Sequence, residues 1–192
     1  PDVPGYPDGL PNRAPNVFLV TRLIDVLEAF PNNTVNVEIK QSGETGLKAL
    51  AAVIKIIEDK NAFDKVVLSS FHKEIYNELL RIHKEDHPEL LFSPQDSGVA
   101  ALLITGALGL DVFFNQPVAV LQIPMSQKVK GINVHLDKKW FVKRAHKHNI
   151  AVHYWTIDDV DDMKYLIEIG ADGIMTNLPH TLLEVYNEVF SK

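Results

Sequence analysis

Val35-Asn36-Val37-Glu38-Ile39-Lys40 is the stretch on which the fold turns. In an extended chain successive side chains point to opposite faces, so Val35, Val37 and Ile39 share one face and Asn36, Glu38 and Lys40 the other. A strand in a parallel α/β sheet is ordinarily apolar on both faces, because helices cover one side and further core the other. This run is half polar, which leaves two readings. It is a strand with one wet face, or it is a barrel strand whose inner face turns polar at its carboxyl end, where barrel chemistry sits. In the second reading Glu38 offers oxygen to a hard cation and Lys40 offers charge to an anionic group.

Outward from this strand, short β-branched runs alternate with longer amphipathic stretches. Residues 21–30 read as a helix stopped by Pro31, Asn32 and Asn33. Leu47, Leu50, Ile54 and Ile57 recur at helical spacing. Further strands are expected at 66–70, 90–92, 131–135, 150–155 and 173–176, and helices at 72–83, 138–148, 158–169 and 179–190. Asp158 is the expected cap of the helix it opens, and Gly170 its expected stop. With 35–40 this makes six strands joined through helices, the pattern of parallel strands with right-handed crossovers. A doubly wound sheet can have six; a (β/α)₈ barrel has eight and typically about 250 residues. Several strand ends run from apolar to polar: Ser69, Ser70 and Phe71 close one, Thr156 another, and Thr176 with Asn177 a third.

Composition narrows the function classes. The 192 residues are 46% hydrophobic and 23% charged, average for one globular domain, and exclude a disordered or polytopic membrane chain. A net charge of -6 gives no basic footprint, so nucleic acid is not an expected partner. The absence of cysteine rules out a disulfide scaffold, a thiol nucleophile and a Cys-type zinc site. Residues 1–15 hold five prolines and two glycines and read as irregular chain. No Gly-rich phosphate loop, serine-hydrolase elbow or zinc motif is present.

Four segments together resemble the glycerophosphodiester phosphodiesterases: Val37-Glu38-Ile39-Lys40 after Glu28-Ala29-Phe30-Pro31; Leu68-Ser69-Ser70-Phe71; Tyr154-Trp155-Thr156-Ile157; and the run from Gly170 through Asp172, Gly173 and Asn177 to Pro179. The resemblance implies a TIM (β/α)₈ barrel with 35–40 as its third strand and 173–176 as its eighth. Residues 1–15 would be the tail of the family's insertion and the first two strands would be absent, making 1–192 one N-terminally incomplete domain. It implies metal-dependent hydrolysis of glycerophosphodiesters to an alcohol and glycerol 3-phosphate, assisted by Ca²⁺ or Mg²⁺. By that likeness Glu38 is a metal ligand, Lys40 a phosphate contact, and Trp155 and Phe71 line the substrate pocket. The family's two acid/base histidines stand in His-Arg and His-Asp pairs. None of the eight histidines here does, so no catalytic role is transferred and this chain alone is expected to be inactive.

Residues 98–125 form an apolar spacer. Residues 99–110 carry no charge but are too few to span a bilayer, for which about 20 are needed. They read as a buried barrel helix or as an apolar flap at the pocket mouth that meets acyl chains or a membrane surface. The spacer with Phe113, Phe114 and Leu121-Gln122-Ile123-Pro124-Met125 resembles lysophospholipase D-type members, making lysophospholipids the alternative substrates. The other alternative is a non-catalytic barrel fragment. A soluble or membrane-peripheral protein is expected, with its compartment open. Among the histidines, His83 and His87 read as an exposed face, His146 and His148 as complements to a helix dipole, and His135 and His153 as core or pocket-lining.

Overall fold

The computed structural model describes residues 21–110, 112, 114–129 and 131–191, without the side chain of Asp96. The chain divides into two compact units, Pro1–Asn33 and Thr34–Lys192. In the first, the described residues form helix α1 (Leu23–Ala29), whose first turn is pinned by Arg22 bonding the Asp25 carboxylate at 2.6 and 2.9 Å. The expected insertion tail at 1–15 lies outside the described residues.

The second unit alternates strand and helix, opening with β1 (Val35–Glu38), α2 (Gly43–Lys60), β2 (Val66–Ser69), α3 (Lys73–Glu85), β3 (Leu91–Phe92) and α4 (Asp96–Ala107). It continues with β4 (Val120–Ile123), a hairpin of β5 (Ser126–Val129) and β6 (Ile132–His135), α5 (Lys139–Lys147), β7 (Ala151–Tyr154), α6 (Val160–Ile169), β8 (Gly173–Ile174) and α7 (Pro179–Phe190). The helices follow from apolar spacing and from their ends. Leu50, Ile54 and Ile57 line the buried face of α2, each burial contributing about 1.5–3 kcal/mol. Asn61 stops α2 in the left-handed region at φ 48°, and Gly170 stops α6 at φ 93°. The cap of α6 is Asp159, whose carboxylate accepts from the amides of Asp161 and Asp162; Asp158, the expected cap, is used elsewhere.

Six strands are parallel, in the orders β1-β2-β3 and β4-β7-β8. The two ladders join where the Ala119 amide donates to the Phe92 carbonyl at 3.0 Å, so β4 stands beside β3. In a flat sheet β1 and β4 would lie three strand steps apart, about 14 Å, with side chains standing perpendicular and unable to meet. Here Gln122 Nε2 donates to Asn36 Oδ1 at 2.9 Å. The wall is therefore curved, with the polar face of β1 inward. Among the described residues it does not close into the expected full barrel, because β1 pairs only with β2 and β8 only with β7. That exposure explains the pattern of β1: Asn36 and Glu38 are open while Val35 and Val37 are half-buried, whereas Val66, Val67 and Leu68 of central β2 are buried on both faces.

One expected strand is corrected. Residues 131–135 supply β6, which pairs antiparallel with β5 in a hairpin on the loop after β4. The parallel strand of this region is β4, inside the stretch read as spacer. Its four residues are too few for period alone to separate a buried strand from a helix.

Candidate active site

All six parallel strands point the same way, and a cleft of about 700 Å³ opens at their carboxyl ends. Glu38 and Lys40 reach it from β1, Ser69, Ser70 and Phe71 from β2, Ser93 from β3, Gln122 from β4, Trp155 and Thr156 from β7, and Met175 from β8. Of the residues expected in the site, Glu38, Lys40, Phe71 and Trp155 line this one space. Phe71 is 66% exposed and meets the Trp155 ring edge-on at 6.2 Å between centroids.

The β1 rim is fixed through its backbone. Ser70 Oγ donates to the Ile39 carbonyl at 2.8 Å, and His72 Nε2 donates to the Lys40 carbonyl at 3.0 Å. Among the described residues its charged side chains are held only by each other: Lys40 Nζ lies 3.7 Å from Glu38 Oε2, both solvent-accessible. Such a pair is worth about 0–1 kcal/mol, so an anionic ligand displaces it at little cost.

The opposite rim is tied by a side chain. The Asp158 carboxylate accepts from Thr176 Oγ1 at 2.9 Å and from the Asn177 amide and Nδ2 at 2.8 and 2.9 Å. Bonding to Asn177 and Thr176 holds its carboxyl below the usual range. Thr176 Oγ1 also accepts from the Leu178 amide at 2.9 Å, leading the chain into α7. Backbone bonds from Ile157 to Met175 and from Met175 to Tyr154 complete a two-loop wall carrying Trp155, Thr156 and Met175.

Phe114 lies elsewhere. It is buried, its ring against His148 with centroids 5.6 Å apart. His148 follows α5 just before β7 begins and Phe114 precedes β4, so both stand at the amino ends of the strands, away from the cleft. Phe113 lies outside the described residues. From α4 only first-turn residues, Ser97 and Val99, line the cleft, so the described residues of this helix form no flap over it. His135 pairs with Asp137 at 3.3 Å on the hairpin, and His153 packs over Gly173 beneath the cleft, where burial lowers its pKa. His83 meets the Leu90 carbonyl at 3.3 Å; His87 is half-buried against Glu58; His146 bonds Asp172 at 2.8 Å.

Lys73, Asn36 and Gln122 also line the cleft. Sequence reasoning missed Lys73 and Gln122. Gln122 carries a signal like that of Glu38, a lone polar residue between Leu121 and Ile123, whereas Lys73 has none, being one more cation at a helix start. Among the described residues no group of three His, Cys, Asp or Glu converges as a metal centre, and Glu38 is the one carboxylate described in the cleft lining. Ca²⁺ takes six to eight oxygens, so these residues do not make a cation site unaided.

The sequence profile of the glycerophosphoryl diester phosphodiesterase family matches residues 3–181. The chain is 26% identical over 169 residues to a probable glycerophosphodiester phosphodiesterase 2 of Mycobacterium tuberculosis, covering 86% of this chain and 60% of that protein. It is 25% identical over 191 residues to human lysophospholipase D GDPD1, covering 91% and 57%. Among solved structures, the glycerophosphoryl diester phosphodiesterase domain of another M. tuberculosis protein superposes with a TM-score of 0.65 at 14% identity, covering 84% of this chain and 62% of that one. The chain thus spans about three fifths of the length of these curated relatives. The structural likeness makes the curved wall TIM-barrel-like, and the profile match across nearly the whole sequence shows that the chain belongs to the glycerophosphoryl diester phosphodiesterase family.

Proposed function

We propose that the cleft binds the phosphate of a glycerophosphodiester and serves its hydrolysis to an alcohol and glycerol 3-phosphate. The observation that carries this reading is the meeting of Lys40, Glu38 and Trp155 at the carboxyl ends of the strands in a chain of this family. Lys40, weakly paired, turns its ammonium to the phosphate, and Lys73 adds a second cation on the same side. Gln122 and Asn36 offer amide groups on the inner face, and Phe71 with Trp155 walls the alcohol portion. Glu38 would supply one oxygen to a Ca²⁺ or Mg²⁺ ion, whose other donors are not among the described cleft residues. Such an ion supplies charge neutralisation at a phosphate. In this reading β1, β2, β3, β4, β7 and β8 are the third to eighth strands of a (β/α)₈ barrel.

Lysophospholipids are the second reading, supported by the likeness to human lysophospholipase D and by the aromatic pair of exposed Phe71 and half-buried Trp155 at the mouth. Assaying the purified protein on glycerophosphocholine and lysophosphatidylcholine, each with chelator and with Ca²⁺ or Mg²⁺ restored, separates the two. No turnover is expected of this chain alone, whose described cleft lining holds no histidine and one carboxylate. Turnover of the first, dependent on added metal, is expected of a longer protein that carries the family's His-Arg and His-Asp pairs, and turnover of neither substrate by that protein would leave the non-catalytic reading in place.

A further inference from the structure

Helix α4 carries the sharpest mismatch between composition and surroundings. Residues 97–110 contain no charged side chain. Val99 and Leu102 are buried, while Ala100, Ile104, Ala107 and Leu108 are exposed. Ile104 is 59% and Leu108 67% exposed, and Leu110 and Val112 continue uncovered past the helix end. A helix that is apolar all round belongs in a core or in lipid, and contiguous exposed apolar surface marks an interaction site.

Helix α5 supplies the charge. It lies alongside α4: a Cβ placed on Gly106 would stand 3.4 Å from both Trp140 Cζ3 and Arg144 Cγ. Trp140, Lys143, Arg144 and Lys147 recur at helical spacing along that side. The helix also carries Lys139 and has no acidic residue. Trp140 is itself 40% exposed. Aliphatic side chains bordered by a tryptophan and a single-sign row of cations match the layers of a bilayer surface: acyl boundary, headgroup level and anionic phosphates.

We propose that the α4–α5 face docks on an anionic lipid bilayer. Charge complementarity selects this occupant over a second copy of the chain, because a two-fold contact over this face would bring both cation rows into one interface. The contact is peripheral, since no helix among the described residues is long and apolar enough to cross a membrane.

Co-sedimentation of the purified protein with phosphatidylcholine vesicles, and with vesicles in which about a fifth of the lipid is phosphatidylserine, tests this. Binding is expected to the anionic vesicles, weakening as salt rises from about 0.1 to 0.5 M. Ile104→Glu with Leu108→Glu, and separately Lys143→Glu with Lys147→Glu, should each cut the bound fraction at least about tenfold, with thermal transitions unchanged because these positions are exposed. Should the first pair lower the transition, Ile104→Ser with Leu108→Ser reads the same surface without added charge. No pelleting with anionic vesicles, equal pelleting with neutral ones, or binding indifferent to both pairs overturns the proposal. So does a lipid-free dimer that the Ile104 and Leu108 substitutions abolish, which assigns the face to a second copy.

Discussion

Glu38 ends β1 and Asp158 follows β7, two carboxylates at the same end of one parallel wall. Asp158 accepts three hydrogen bonds from Thr176 and Asn177 and is consumed in joining two loops. Glu38, among the described residues, meets only Lys40, at 3.7 Å, while the backbone beneath it is secured by Ser70 and His72. At one rim a carboxylate is spent on shape; at the other, shape is secured through the backbone by Ser70 and His72, and the charged side chains stay available. A residue's place at a strand end therefore marks a candidate, and its hydrogen-bond ledger decides whether it is free to engage a ligand.

The hardest test of that contrast is at the free rim. In a longer, active protein that carries the family's His-Arg and His-Asp pairs, Lys40→Ala and Glu38→Ala should each lower kcat/KM for glycerophosphocholine by about 10²–10³, the usual loss for a charge-stabilising group, with little change in thermal stability. If the Asp158 substitution costs more, the assignment of spent and free carboxylates is reversed. At the amino ends of the strands, Phe114→Ala should destabilise by about 3 kcal/mol in denaturant unfolding. It should leave kcat/KM and acyl-chain preference unchanged, and a changed preference would put Phe114 back at the pocket. Asp158→Ala loosens the wall that bears Trp155 and Met175, so KM should rise by up to about tenfold while kcat moves little.

The pH dependence of that clamp has a definite sign. The folded pKa of Asp158 is depressed, so its stabilisation is present above the unfolded carboxylate range and disappears as pH falls through the lower folded value. The difference in Tm between wild type and Asp158→Asn should be full at neutral pH and vanish in strong acid. The smallest effect lies far from the cleft, at His87, which bonds Glu58 at 2.7 Å and stacks on Phe63. Partial burial lowers its pKa, but bonding to Glu58 and Glu89 outweighs this and the net shift is upward. Its contribution is thus whole below the unfolded histidine value and fades as pH rises through the folded one. Melting curves of wild type and His87→Ala should converge above neutrality, and a gap that widens there would contradict the pairing.

Much of this molecule was legible in its residues. The half-polar run at 35–40, the polar ends of the following strands and the helix stop at Gly170 are local signals, set by side-chain period and backbone φ, and the structure reproduces them. The α6 cap was misread by one position because Asp158 and Asp159 are chemically alike, and only the approach of the β8 loop tells which is taken. Residues 131–135 were read as a parallel strand because period 2 is the same in a hairpin and in a wall. Gln122 was passed over since its inward direction depends on the register of β4 with β7.

By itself the sequence determined the alternation of elements, the family likeness and which residues can carry charge, because these depend on neighbours within a few positions. Only tertiary structure decided that Asn36 and Gln122, 86 residues apart, meet across a curved wall, that Phe114 lies at the opposite end from the cleft, and that α4 turns an apolar face outward. Those outcomes depend on curvature and on which surface each helix finds to bury. Both are properties of the assembled chain.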